Sequence, residues 1–341
     1  MKIAVVGCGA VGSFYGAKLC RAGHEVHFLL RSDYESVKRN GVLVRSPEGD
    51  VRVFPRPAKE PREIGACDLV LIALKTTANH RFSELLPPLV GRSTRLLTLQ
   101  NGLGNEELLS RLFESNTVLG GLCFVCLNRI APGIVRHFAY GDVTLGQHGA
   151  VPDQTTRRIG DQLGEAGIKV KLTENLAKAR WEKLVWNVPF NGLGVAGVVG
   201  LENLLDGNVP DQFECRTTLT TDKLLGDPGW LRLVRELMQE VITTANALGF
   251  GVAETLADQM IDRTRTMGAY KASTLLDFER GFPIELDQMF LEPFRRAQAV
   301  GVQTPRLSAL CRTLGELDRR QRNTAAGEKL LGSIATRSRP L

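Results

Sequence analysis

The stretch KIAVVGCGAVGSFYGAKLCRAGHEVHFLLR, residues 2–31, decides how the rest of the chain is read. An apolar run, KIAVV, leads into Gly7, Gly9 and Gly12 in GxGxxG register, then into a helical pattern and a second apolar run, HEVHFLL. A lone GxGxxG says little. Between a strand and a helix it acquires a mechanism: the first glycine permits a tight turn, the second lets the backbone approach a pyrophosphate, and the third lets helix pack on strand. The pyrophosphate would sit at the positive end of the helix. The turn Gly7, Cys8, Gly9, Ala10, Val11 and Gly12 is therefore a candidate cofactor-binding segment of a Rossmann-type domain.

The end of the second strand selects the nucleotide. An acid there would accept bonds from a ribose 2′-hydroxyl and mark NAD, but Leu30 is followed by Arg31 and Ser32. A guanidinium at that point suits a 2′-phosphate, so the expected cofactor is NADP(H). Asp33 is the competing reading, because a slightly longer strand would bring its carboxylate to the hydroxyl. Two further positions follow apolar runs, at strand C-termini where open α/β sheets place ligands. Lys75 ends LVLIALK, and Asn101 follows LLTLQ in the sequence QNG. A solvated lysine and a plain Asn-Gly turn are the bland alternatives.

Outward from this site, residues 1–173 alternate short apolar runs with helical patterns: CDLVLIAL, TRLLTLQ, TVLGGLCFV, GIVRHFAYG, DVTLGQ and IKVKLT continue the series. Such alternation predicts a mostly parallel sheet covered on both faces. From residue 174 the strand pattern stops and long helical stretches take over, such as PGWLRLVRELMQEVITTANALG and IELDQMFLEPFRRAQAVG. The sequence thus predicts an α/β fold: a Rossmann-type NADP-binding domain over 1–173, an all-α substrate domain over 174–335, and a basic tail over 336–341. Only a turn joins the halves, so they are expected to pack tightly and enclose a cleft. Residues 205–229 read as an irregular excursion.

The bulk numbers fit an enzyme-sized soluble protein. At 341 residues with 43% hydrophobic content, sizeable cores are within reach. No apolar run approaches the roughly 18 residues of a membrane span, and the glycine-punctuated start does not resemble a signal peptide, so a cytoplasmic location is expected. Seven cysteines, an odd number, read as reduced residues in apolar segments. Cys123 and Cys126 have redox-motif spacing but fall in a strand pattern that would point them to opposite faces. No histidine, cysteine or carboxylate cluster has metal-ligand spacing. The net charge of +6 favours an anionic ligand, although much of it lies in the final helix and tail. No aromatic interleaving suggests nucleic acid. The apolar helical surfaces would serve equally to close the cleft or to form a homodimer.

In the second half, RWEKLVWNVPFN, residues 180–191, poses a problem. On a helix, Lys183, Asn187 and Asn191 fall on one stripe, each about 40° from the last, flanked by Trp186, Phe190 and Leu184. An amine and two amides among apolar side chains would be costly without partners. The stripe makes sense if it lines a cleft that something polar enters.

Taken in order, GCGAVG, Lys75, QNG, WEKLVWNVPFN and YKASTLLDFERGFPIELD resemble the ketopantoate reductase family, the 2-dehydropantoate 2-reductases of pantothenate biosynthesis, over nearly the whole chain. The resemblance implies a two-domain fold, hydride transfer from NADPH and reduction of ketopantoate to pantoate. It implies that Lys183 is the catalytic general acid and that Asn187 and Asn191 bind substrate. Asn101 would lie beside nicotinamide and substrate, and Lys75 beside the cofactor ribose. Ser273 would hold the substrate carboxylate, and Glu285 would meet the substrate hydroxyl or the cofactor. Where the family often has a further substrate asparagine, this chain has Leu201, with Asn203 nearby. Residues 205–229 also look longer than in compact members.

The chemistry is consistent with those residue types. Hydride arriving at a ketone carbon leaves charge growing on oxygen, which a fixed cation or proton donor stabilises. Apolar neighbours would lower the pKa of Lys183 and improve it as an acid, whereas pairing with Glu285 would oppose that shift. The bland reading of Ser273 is a plain helix N-cap; pattern alone favours Glu285 and Asp287 as first-turn acids, and only the resemblance raises Glu285 above Asp287. Competing functions are an NADP-dependent reductase of another 2-keto acid and a non-catalytic NADPH-binding sensor. A sensor would have no need of an acid and an orienting shell.

Overall fold

Alternation along the first strand sets up a sheet buried on both sides. In β1 (Lys2–Val6), Ile3 and Val5 pack with Phe14 and Phe28 on one face, while Ala4 and Val6 pack with Phe82 and Leu86 on the other. Side chains of a strand point alternately to the two faces, so an unbroken apolar run requires cover on both. The computed structural model describes residues 1–210 and 217–337. It divides into two units, Met1–Arg180 and Trp181–Leu341.

The first unit carries a ten-stranded sheet. After β1 come β2 (Glu25–Leu29), β3 (Val42–Arg45), β4 (Val51–Val53), β5 (Arg56–Ala58), β6 (Cys67–Ile72), β7 (Val90–Thr98), β8 (Val118–Ala131), β9 (Ile134–Gln147) and β10 (Val170–Leu172). Their order is β4-β3-β9-β8-β7-β6-β1-β2-β5, with β10 beside β9. Among the described residues only β3–β4 and β8–β9 pair antiparallel. The chain leaves β1 for β2 on one side and returns to β6 on the other. Such a reversal opens a crevice at the C-terminal ends of the strands, where doubly wound sheets take their ligands.

Two details depart from the sequence reading. GIVRHFAYG and DVTLGQ form one continuous strand, β9, because the glycine between them makes a bulge instead of a turn. Tyr140 and Gly141 have φ of 64° and 141°, and the register against β8 shifts between Phe124 and Val125. The short strands β3, β4 and β5 carry too few alternating residues to stand out from loop sequence.

The division between units also falls later than the turn near residue 173. It lies between Arg180 and Trp181, inside the helix Leu176–Ala196. The first turn of that helix is held in unit 1 by Leu176, which packs on Gly120 and Gly146, and by Arg180, whose guanidinium is buried against Glu106. Among the described residues no strand follows Leu172. The helix Pro228–Ala247 starts where expected: Asp227 accepts from the N–H groups of Gly229 and Trp230, and Pro228 occupies the first turn. Its buried stripe runs through Leu233, Leu237, Val241 and Ala245. Within IELDQMFLEPFRRAQAVG a π turn, Asp287–Leu291, precedes the helix Glu292–Ala299. The final helix runs Pro305–Arg337, so the expected tail at 336–341 lies mostly outside the described residues, as does 211–216 within the excursion. None of the described helices is long and apolar enough to cross a membrane.

Candidate active site

The three motif glycines have different reasons to be glycine. Gly7 has φ of 99°, and a Cβ there would lie 2.3 Å from the backbone nitrogen of Leu74, so the turns after β1 and β6 touch. A Cβ on Gly12 would lie 2.3 Å from the carbonyl oxygen of Gly7, the close approach of helix to turn. At Gly9 a Cβ would meet nothing within 4 Å. Gly9 also precedes the helix Ala10–Arg21 with no side chain capping it. Open space over unpartnered helix-start amides fits a dinucleotide pyrophosphate. Cys8 is turned inward, its thiol donating to the carbonyls of Val5 and Leu29 at 3.4 and 3.5 Å. Burial, and then the charge of Asp33, pushes that thiol up and makes it a poor nucleophile.

The two candidate side chains after β2 have different surroundings. Arg31 and Ser32 are exposed, whereas Asp33 is buried. The Asp33 carboxylate accepts from Arg129, at 2.9 Å for Nε, and from the Gly133 N–H at 3.1 Å. Burial raises its pKa, but these bonds and that from Ser32 outweigh burial and hold it below the ordinary value. Asp33 therefore ties the segment after β2 to the end of β8 and to Gly133, while Arg31 stays exposed.

Lys75 is exposed at the start of the 3-10 turn Thr76–Arg81. Asn101 is half-buried, and its surroundings contain residues the sequence did not single out. Gln100 donates to the carbonyl of Leu74 at 2.9 Å and to the amide oxygen of Asn79 at 2.8 Å. Asn79 donates to Asn105, and Asn105 to the carbonyl of Asn101, both at 2.9 Å. Arg180 donates to the carbonyl of Gln100 at 2.7 Å and pairs with Glu106, both residues being almost wholly buried. This network fixes the QNG turn and ties it to the segment after β6, which carries Lys75. Only an Asn-rich, Gln-bearing pair of loops hints at it in the sequence.

In the second unit the stripe forms as predicted on the helix Leu176–Ala196. Lys183 is half-buried, and Asn187 and Asn191 are buried. The oxygen of Asn191 accepts from the Thr274 N–H at 3.0 Å and the Ser273 hydroxyl at 3.2 Å, and its amide donates to Asn187 at 3.5 Å. Donors on its oxygen orient that amide. Ser273 is thus the first residue of the helix Ser273–Glu279, with Ala272 in the cap position and no side-chain cap present. Trp186 stacks near Phe190, ring centroids 5.0 Å apart, and donates to Thr264 at 2.9 Å, completing an apolar flank. The two acids also part company. Glu285 is buried, while Asp287 is exposed in an ion pair with Arg295 at 2.6 Å. Asn203 donates to the carbonyl of Val199 at 2.8 Å, a local structural bond, and Leu201 packs against Gly229.

A profile described as Ketopantoate reductase PanE/ApbA matches residues 3–150, and its C-terminal counterpart matches residues 213–318. The 2-dehydropantoate 2-reductase of Nostoc sp. strain PCC 7120 is 38% identical over 332 residues, covering 94% of this chain and 96% of the relative. The crystal structure of 2-dehydropantoate 2-reductase from Geobacter metallireducens GS-15 is 40% identical with a TM-score of 0.83, covering 93% of this chain and 99% of that one. That of Methylococcus capsulatus is 32% identical with a TM-score of 0.82, covering 94% and 98%. With both profiles matched and relatives aligned nearly end to end, the chain belongs to the ketopantoate reductase family.

Proposed function

We propose that this protein reduces 2-dehydropantoate to pantoate with NADPH, a step of pantothenate biosynthesis. Membership of the family makes it an oxidoreductase acting on CH–OH groups. The observation that carries the finer reading is the hydrogen-bonded row Asn187, Asn191 and Ser273, continued one helical turn back by Lys183. Cofactor binding is assigned to Met1–Arg180: the Gly7–Gly12 turn takes the pyrophosphate, Arg31 the 2′-phosphate, Lys75 the ribose, and Asn101 the neighbourhood of nicotinamide and substrate. When bound, NADPH supplies the hydride that the ketone carbon accepts. Lys183 donates a proton from Nζ to the carbonyl oxygen, giving the alcohol, and is reprotonated from solvent. Asn187 and Asn191 hold the substrate's polar groups without adding charge, Ser273 takes its carboxylate, and Glu285 meets the hydroxyl or the cofactor. The engagement of Asp33 with Arg129 supports NADPH over NADH, because it leaves Arg31 to set the charge at the strand end.

The test follows NADPH oxidation by absorbance with ketopantoate, pyruvate and 2-ketoisovalerate. Turnover strongly favouring ketopantoate is expected. Preference for another 2-keto acid would move the protein to a paralogous reductase, and tight NADPH binding without turnover of any of them would make it a sensor.

A further inference from the structure

At the opposite ends of the strands from Gly7 and Lys75, the N-terminal ends of β1, β6 and β7 border a cavity of about 620 Å³. That volume is within the range of small-molecule sites. Its rim is made by an interruption in β7. Cys67 pairs with Val90 but Leu69 pairs with Arg95, so the residues from Gly91 to Thr94 bulge out of the ladder. The bulge is pinned at four points. Thr94 donates its hydroxyl to the Cys67 carbonyl at 2.5 Å and accepts from the Gly91 N–H at 2.8 Å, and the Asn116 amide donates to the carbonyls of Gly91 and Thr94, each at 2.9 Å. Bulges re-aim side chains, and this one sets exposed Arg92 and Ser93 on the cavity wall.

Thr155 and Arg158, from the helix Gln154–Glu165, line the same cavity. The charges there do not cancel. Arg95 is neutralised by Asp153 at 2.9 Å, and the Asp68 carboxylate accepts the Lys2 N–H at 2.7 Å. Arg92 and Arg158 form no ion pair with any described residue. Two guanidiniums without an ion pair therefore line the cavity with one carboxylate and the hydroxyl side chains of Ser93, Ser115, Thr117 and Thr155. Forked guanidinium donors beside hydroxyl groups match the tetrahedral oxygens of phosphate.

We propose that this cavity is a second binding site, distinct from the dinucleotide cradle, for a small polyanion bearing phosphate groups. Inorganic pyrophosphate is the probe, titrated calorimetrically into protein already saturated with NADPH so that the cradle is filled. Saturable binding is expected, weakened about tenfold or more by Arg92→Gln and by Arg158→Gln, with NADPH affinity unchanged in both variants. Both side chains are exposed, so neither substitution threatens the fold. Absence of saturable binding, or binding that neither variant weakens, would overturn the proposal. Binding lost in Arg31→Gln but intact in the other two would assign the anion to the cradle and overturn it equally. The variants decide the matter whether or not NADPH binds as proposed above.

Discussion

Arg31 and Asp33 stand near the same strand end in surroundings that spacing leaves open: Arg31 is exposed, while the buried Asp33 carboxylate accepts from Arg129 and Gly133. Both stand near the end of β2, and both have a sound chemical reason to touch a ribose. The distant Arg129 and Gly133 engage the carboxylate, and nothing within the first strands announces those partners. In the proposed reading the guanidinium carries the preference for the 2′-phosphate. Arg31→Ala should weaken NADPH binding about tenfold or more, since a hydrogen bond to a charged group contributes about 1.5–3 kcal/mol, and should leave NADH binding nearly unchanged. Fluorescence titration of both cofactors measures this, and equal weakening of the two would remove Arg31 from the phosphate. Glu285 and Asp287 illustrate the same limit. Pattern treats them alike, whereas the fold buries Glu285 and holds Asp287 in a surface ion pair.

Among elements, the strand–turn–helix opening was legible to the residue, because Gly7 and Gly12 answer a local steric demand that a motif encodes directly, while Gly9 leaves open space at the helix start. That demand makes a sharp contrast available. Gly9→Ala places its Cβ in open space at a φ of −75°, so the unfolding midpoint should hold while NADPH affinity falls about tenfold or more. Gly12→Ala, colliding with the Gly7 carbonyl, should lower the midpoint itself. Unchanged NADPH binding in the first variant would mean that the pyrophosphate does not approach Gly9. The network behind QNG was not legible. Glu106 and Arg180 are 74 positions apart, and each looks locally like an ordinary helix residue. Glu106→Ala should leave the Arg180 guanidinium buried and uncompensated, lowering unfolding free energy by about 3–5 kcal/mol. Urea denaturation reads that loss, and a change below about 1 kcal/mol would show the pair to be dispensable.

For the whole molecule, the change of pattern from strand to helix was readable because periodicity reports which faces are buried. What escaped were features that periodicity does not encode. Three short strands lack enough residues to alternate, β9 joins through a glycine bulge two runs that read as separate, and the division between units sits inside a continuous helix. The stripe of Lys183, Asn187 and Asn191 was visible as a polar anomaly on an apolar helix, and its partners Ser273 and Thr274 emerge only from tertiary structure. In the proposed reaction the cofactor is held by residues of the unit Met1–Arg180 and the proton is delivered by Lys183 of the unit Trp181–Leu341. The most direct measurement is Lys183→Ala, with NADPH affinity by titration and ketopantoate turnover by NADPH absorbance on the same preparation. NADPH affinity should stay as in the parent protein while turnover falls about hundredfold or more, the contribution of a positioned general acid. Undiminished turnover, or loss of NADPH binding in step with turnover, would contradict the account.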